Sequence, residues 1–218
     1  MVERDVRDLA SIERAPQLRA LLPMLAARVG SVVSAANLSN DLGIARSTIS
    51  RYLALLEEVF LVHRIPAFSR NISTRATATP KLMFTDTGIA AHLLDASAAD
   101  LAHPVSQMGP LLENFVASEL HRQATFSRTR VRLSHYRTRD GVEVDLVLSD
   151  RRGSVVGIEV KSAATVRAED FRGLRHLAER LGDDMIVGIV LYASTNTRPS
   201  DAFAACRNAD HRHPPQGP

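Results

Sequence analysis

The chain has 218 residues, 45% hydrophobic and 23% charged, which is ordinary for a globular protein of one large or two small domains. The longest apolar run, Met185 to Ala193, is far too short to span a bilayer, and Met1 to Leu9 is too charged for a secretory signal. No membrane role is implied and a cytoplasmic location is expected, while the lone Cys206 permits no internal disulfide and no cysteine-based metal site.

Apolar residues at helical spacing (Leu18, Leu21, Leu22, Leu25) predict a first helix from Leu18 to Val29, stopped by Gly30. A short helix follows over Ala36 to Leu42. Gly43 then makes a turn, and Ala45 to Val59 forms a longer helix with Ile49, Tyr52, Leu53 and Leu56 on its inner face. Two helices joined this tightly have helix-turn-helix geometry. The outward residues at the start of the second helix are Arg46, Ser47, Thr48, Ser50 and Arg51, small polar and basic groups of the kind that enter a DNA major groove. Phe60 to Ile65 and Lys81 to Phe84 are candidate wing strands, which makes the expected N-terminal fold a winged helix-turn-helix. Such modules also serve as protein docking blocks, and Leu55-Leu-Glu-Glu-Val-Phe60 is equally a packing surface. The polar loop Ser69 to Thr79 reads either as a phosphate-tracking wing or as a plain surface loop.

Asp86 is read as the N-cap of a further helix. Ala96 to Gly109, with its small residues, Pro104 and an exposed His103, is read as a linker. The next helix carries two acids, Glu113 and Glu119, offset by six residues, so that both cannot face one site. Net charge is only +3, but His121, Arg122, Arg128, Arg130, Arg132, His135, Arg137 and Arg139 crowd the stretch that follows. That crowd is either a solvated helix end and hairpin or a phosphate-backbone surface, with Arg137 and Arg139 nearest the acids described next. A second basic series, Arg167, Arg172, Arg175 and Arg180, is diluted by Glu169, Asp170 and Glu179.

Two short strands bear the chemistry. In Gly141-Val-Glu-Val-Asp-Leu-Val-Leu148, alternation places Glu143 and Asp145 on one face, with Val144, Leu146 and Leu148 on the other. In Gly157-Ile-Glu-Val-Lys161, Glu159 and Lys161 project together above Ile158 and Val160. The same alternation is found in any half-solvated strand. As a site, Asp145 and Glu159 would hold a hard divalent cation such as magnesium, or manganese, and Lys161 would sit beside charge developing on a phosphate. Glu143 is either a further ligand or a solvated strand residue. Past Ser194 the pattern weakens, and the end of the chain, with His211 and His213, is expected to be disordered.

Between Gly109 and Tyr192 the chain resembles the PD-(D/E)xK nuclease superfamily. The matching residues are Glu113 in Glu113-Asn-Phe-Val116, Asp145, and Glu159-Val-Lys161. The resemblance implies a restriction-endonuclease-like α/β domain with a central mixed sheet, in which Glu113 binds a metal-linked water. More broadly, Arg4 to Ala193 is similar to the C-terminal half of prokaryotic AAA-type ATP-binding proteins. The phrases that carry this are Arg4-Asp-Val-Arg-Asp-Leu9, Ser47-Thr-Ile-Ser-Arg-Tyr-Leu53, Leu55-Leu-Glu57, Phe84-Thr-Asp-Thr-Gly88 and Ile158-Glu-Val-Lys161. Those relatives carry an ATPase module ahead of this segment, whereas this sequence has no phosphate-cradling G-x-x-x-x-G-K-[ST] loop and is not expected to bind ATP by itself. A truncated gene, an expressed fragment and a natural stand-alone form would all fit that departure.

The expected organisation is a winged helix-turn-helix over residues 1–95, a linker over 96–109, a PD-(D/E)xK nuclease-like α/β domain over 110–194 and a tail over 195–218. The expected function is a DNA-associated, divalent-metal-dependent nuclease or nuclease-like module. Its rival is a non-catalytic DNA- or protein-binding regulatory module of an ATPase assembly, with an ATPase module or subunit as partner.

Overall fold

The computed structural model describes residues 15–71, 73, 78–101, 108–193 and 203–206. The phrase at Arg4 to Leu9, His103, residues 72 and 74–77 of the Ser69 to Thr79 loop, His211 and His213 lie outside these. The chain forms two compact units that divide between Phe126 and Ser127.

The first described element of the first unit is α1 (Ala15–Ala26), which starts three residues earlier than the leucine spacing alone suggests. Its apolar face, Leu18, Leu21, Leu22 and Leu25, is buried, and the chain turns out of it through Gly30 at φ +74°. Helix α2 (Ala35–Leu42) is capped by Ser34, whose Oγ accepts the Asn37 N–H at 3.1 Å, and ends at Gly43, whose φ of 65° needs no Cβ. Helix α3 (Arg46–Glu58) buries Ile49, Tyr52, Leu53 and Leu56, the four residues that its periodicity marks as inward. The strands β1 (Val62–Ile65) and β2 (Lys81–Phe84) then pair antiparallel, Val62 opposite Phe84 and Ile65 opposite Lys81.

Two short helices follow, α4 (Thr87–Leu93) and α5 (Ala98–Leu101). Asp86 caps α4 as read, accepting the Gly88 N–H at 2.6 Å. The long helix α6 (Met108–Phe126) belongs to this first unit, although the sequence assigns most of it to the C-terminal domain. The physical tie is Asn114, fully buried against the end of β2. Its Oδ1 accepts the Phe84 N–H at 2.7 Å, and its amide donates to the Phe84 carbonyl at 3.1 Å and to Thr87 Oγ1 at 2.8 Å. Ser118 Oγ donates to the same carbonyl at 2.8 Å. One side chain thus satisfies both backbone groups of a residue that the two-stranded sheet leaves open.

The second unit is a five-stranded mixed sheet with spatial order β3 (Val131–Arg137), β4 (Glu143–Asp150), β5 (Val155–Lys161), β6 (Met185–Tyr192), β7 (Phe203–Cys206). All neighbours are antiparallel except β5 and β6, which run parallel and are joined through a 3₁₀ turn (Ala168–Phe171) and α7 (Arg172–Leu181). The tail expected from Thr195 onward therefore contains an edge strand. Four small or apolar residues, Phe203-Ala-Ala-Cys206, carry too little pattern to announce it, yet β6 offers them an unpaired edge.

Helix α7 sits very close to the sheet because two glycines leave a notch for it. Gly157 and Gly188 are direct partners across β5 and β6. A Cβ on Gly157 would stand 2.7 Å from Leu174 Cδ2, and one on Gly188 3.1 Å from Leu174 Cβ. Leu174 and Leu177, both buried, fill that notch and fix the height of the helix above the strands.

Candidate functional site

The β4–β5 ladder runs from Ser149 opposite Val155 to Leu146 opposite Ile158. Beyond that point the Val160 N–H donates instead to Asp145 Oδ2 at 2.9 Å. A side chain replaces a backbone carbonyl there, and the strands open around a cavity of about 270 Å³. Glu143, Asp145, Glu159 and Lys161 line it from the strands, and Glu169, Asp170, Arg172 and Gly173 line it from α7 and the turn before it.

Glu159 is only 5% exposed, an unusual place for a carboxylate. Burial pushes its pKa up to about 8, the negative charge of Asp145 adds to the rise, and Lys161 opposes it. Lys161 Nζ donates to Glu159 Oε2 at 3.1 Å. Burial works against the Lys161 ammonium, but Glu159 and Asp145 outweigh it and raise the lysine pKa. The arrangement is a pair of neighbouring carboxylates, one of them hidden from water, with a single ammonium against them.

Such a pair is short of positive charge, and this is the observation that bears on a cation. Among the described residues no three His, Cys, Asp or Glu side chains converge as a cage for an ion. Magnesium does not require one. It is commonly held by one or two carboxylates and keeps several waters, so Asp145 and Glu159 fit it as donors. A divalent ion held there would also offset the negative charge of Asp145, which after burial is the next cause of the raised Glu159 pKa.

Asp145, Glu159 and Lys161 are therefore brought together, with Glu143 on the same cavity wall. Glu143 is ion-paired with Arg137, its cross-strand partner, so both ends of that pair are engaged. Glu113 lies in the first unit, where its Oε1 accepts from Lys81 Nζ at 2.7 Å in a largely buried pair. Arg46, Ser47, Ser50 and Arg51 are exposed on α3, with Thr48 half-buried, and Arg139 is exposed in the β3–β4 turn. Within the basic stretch, His135 is only 2% exposed and contributes no surface charge. Arg122 is held by Glu119, and His121 stacks on His63.

Sequence reading misses the contribution of α7. Gly173 has no motif around it, yet a Cβ there would stand 1.8 Å from the Glu143 carbonyl oxygen and 2.8 Å from Glu159 Oε1. Arg172 reads only as one member of a basic series. The available signal is the glycine inside an otherwise good helix, which marks a close approach.

A mixed α/β chain with a polar cavity at the opening of its central strands is the class that fold and site define. Residues 1–100 match the family described as "Domain of unknown function (DUF8612)", and residues 108–207 match "Domain of unknown function (DUF4143)". The chain is similar to "Uncharacterized protein Rv2008c" of Mycobacterium tuberculosis and "Uncharacterized protein Mb2031c" of Mycobacterium bovis, with 29% identity to each over 164 residues. That alignment covers 75% of this chain and 36% of each relative, so the chain spans about a third of the length of the curated relatives it matches. No solved structure matches it. Among the described residues no helix is long and apolar enough to cross a membrane.

Proposed function

We propose that this chain is a DNA-associated, divalent-metal-dependent nuclease or nuclease-like module. The observation that carries the reading is the meeting of Asp145, Glu159 and Lys161 in one cavity, with Glu159 buried beside a second carboxylate. A mixed sheet with its acids on two adjacent strands supports a PD-(D/E)xK restriction-endonuclease-like fold for the second unit. Three helices followed by an antiparallel hairpin support a winged helix-turn-helix in the first, with Arg46, Ser47, Thr48, Ser50 and Arg51 as its DNA-facing residues. Asp145 and Glu159 would hold magnesium or manganese, which when bound supplies Lewis acidity toward a phosphodiester. Lys161 would stabilise negative charge developing on the phosphate, and its partial burial would strengthen that interaction.

A specific observation favours the second reading, a non-catalytic DNA- or protein-binding module of an ATPase assembly. Glu113, the acid expected to bind a metal-linked water, is engaged by Lys81 in the other unit. The greater length of the mycobacterial relatives leaves room for such an ATPase module in them.

The deciding experiment is incubation of purified chain with duplex, single-stranded and four-way-junction DNA in magnesium or manganese. Asp145→Ala and Lys161→Ala, checked for folding, run beside it. Cutting that needs the metal and disappears in both variants supports the nuclease. Binding without cutting in either metal moves the assignment to the regulatory module.

A further inference from the structure

The cavity presents several carboxylates and few cations, which makes the state of each cation informative. Lys161 and Arg172 are the cations that line it among the described residues, and Lys161 is held by Glu159 at 3.1 Å; outside the lining, Arg137 pairs with the lining acid Glu143 and Arg167 reaches the lining acid Glu169 at 3.5 Å. Arg175 donates to the Ala168 carbonyl at 2.5 Å and so ties the 3₁₀ turn to α7. Arg172 differs from all of these. It opens α7, is exposed, lines the cavity and has no ion pair or hydrogen bond from its guanidinium among the described residues.

Its position is nevertheless fixed. The neighbouring Gly173 rests its backbone directly on the Glu143 carbonyl and the Glu159 carboxylate, and Leu174 is seated in the Gly157–Gly188 notch. The Cα from which Arg172 extends is therefore held beside the strand acids while its guanidinium stays open to a ligand. A volume of about 270 Å³ falls just below the usual range of ligand clefts, which run from roughly 300 Å³ upward, and suits one nucleotide unit rather than a stretch of duplex.

We infer that Arg172 is the phosphate-binding residue of this cavity, donating its planar fork of N–H groups to the non-bridging oxygens of a phosphodiester that lies against Asp145, Glu159 and Lys161. Arginine suits this role because the fork matches two phosphate oxygens at once, which a lysine ammonium cannot do. The inference deepens the nuclease reading and rests on it.

The test is binding of a fluorescein-labelled short single-stranded DNA to the full chain, followed by polarisation in EDTA across a salt series so that no cleavage intervenes. Arg172→Ala should weaken binding about ten-fold and reduce the slope of log affinity against log salt by about one. Arg172→Lys should recover only part of the affinity. Arg180→Ala, at the far end of the same helix, should bind as the native chain does, and thermal melts should place all variants together. Equal weakening by Arg172→Ala and Arg180→Ala would mean diffuse attraction and would overturn the assignment. So would native affinity in Arg172→Ala while Lys161→Ala binds poorly, an outcome that leaves the nuclease reading standing. Absence of DNA binding by the native chain at every salt concentration would remove both.

Discussion

The backbone of Gly173 rests on the carbonyl oxygen of Glu143, so closely that a Cβ at residue 173 would stand 1.8 Å from that oxygen. This contact joins the helix wall of the cavity to the strand that carries Asp145. Real side-chain carbons do not approach an oxygen so nearly, so any other residue must lift α7 or bend β4. Gly173→Ala should therefore destabilise the second unit by about 1–3 kcal/mol, the usual range for forcing extra atoms into a packed interior. It should do so even though alanine is the better helix former. Urea denaturation decides it: a variant as stable as the native chain would mean that the helix rides higher than the structure has it.

The Lys81–Glu113 pair makes a prediction about stability rather than chemistry. With side chains 4% and 13% exposed and a separation of 2.7 Å, the pair behaves as a unit: losing one member leaves a buried charge without that counterion. Glu113→Ala should cost about 3–5 kcal/mol, whereas replacing both residues, as Lys81→Met with Glu113→Leu, should cost far less. Chemical denaturation of the single and double variants measures this. A Glu113→Ala protein of native stability that had lost DNA cleavage would instead assign Glu113 to the reaction.

These two contacts also mark what can be read from residue order. The inner faces of α1 and α3, and the alternation that puts Glu143 with Asp145 and Glu159 with Lys161 on one face of each strand, are local patterns with periods of 3.6 or 2, visible within a dozen residues, and the Asp86 cap is equally local. The tie between Asn114 and Phe84 spans thirty residues in the chain, and that between Lys81 and Glu113 spans thirty-two. No period encodes either, which is why residue order alone puts α6 on the other side of the unit boundary at Phe126 and Ser127. Gly157 and Gly188 carry information only once β5, β6 and α7 are in contact, whereas Gly173 is marked in the sequence by its place inside an otherwise good helix. Cys206 reads as a tail thiol until β6 supplies its partner strand.

His63 supplies a pH dependence. It is stacked on His121, with ring centroids 4.7 Å apart and planes 16° from parallel, and Glu57 and Arg122 are the other charges acting on it. Burial, followed by the charge of His121, lowers its pKa to about 4, with Arg122 acting in the same sense and Glu57 against it. The folded chain thus refuses a proton that the unfolded chain accepts below about 6.5. The stability linked to His63 is complete above that pH and is lost as pH falls toward 4, by on the order of 2 kcal/mol after allowance for its partial exposure. His63→Phe preserves the stack and removes the titration. Its stability relative to the native chain should improve steadily from pH 7 to pH 4 in denaturant titrations, and a constant difference would exclude this account.

Glu159 runs in the opposite sense and would report on a bound cation. Its folded pKa of about 8 lies above the ordinary carboxylate value of 4.5, so the folded state keeps a proton that the unfolded chain has already released. The contribution of Glu159 to stability is therefore greatest below about pH 4.5, declines as pH rises, and levels off above pH 8. A divalent ion held by Asp145 and Glu159 would compete with that proton and gain most where the proton is weakly held. Magnesium should raise the melting temperature more at pH 8 than at pH 5. At ten times its dissociation constant the gain is about 1.4 kcal/mol, which corresponds to a few degrees in a unit of this size. Glu159→Gln should lose both the decline with pH and the response to magnesium. If magnesium stabilises native chain, Asp145→Ala and Glu159→Gln alike, the ion is binding elsewhere; if it stabilises none of them at pH 8, these two carboxylates do not hold it.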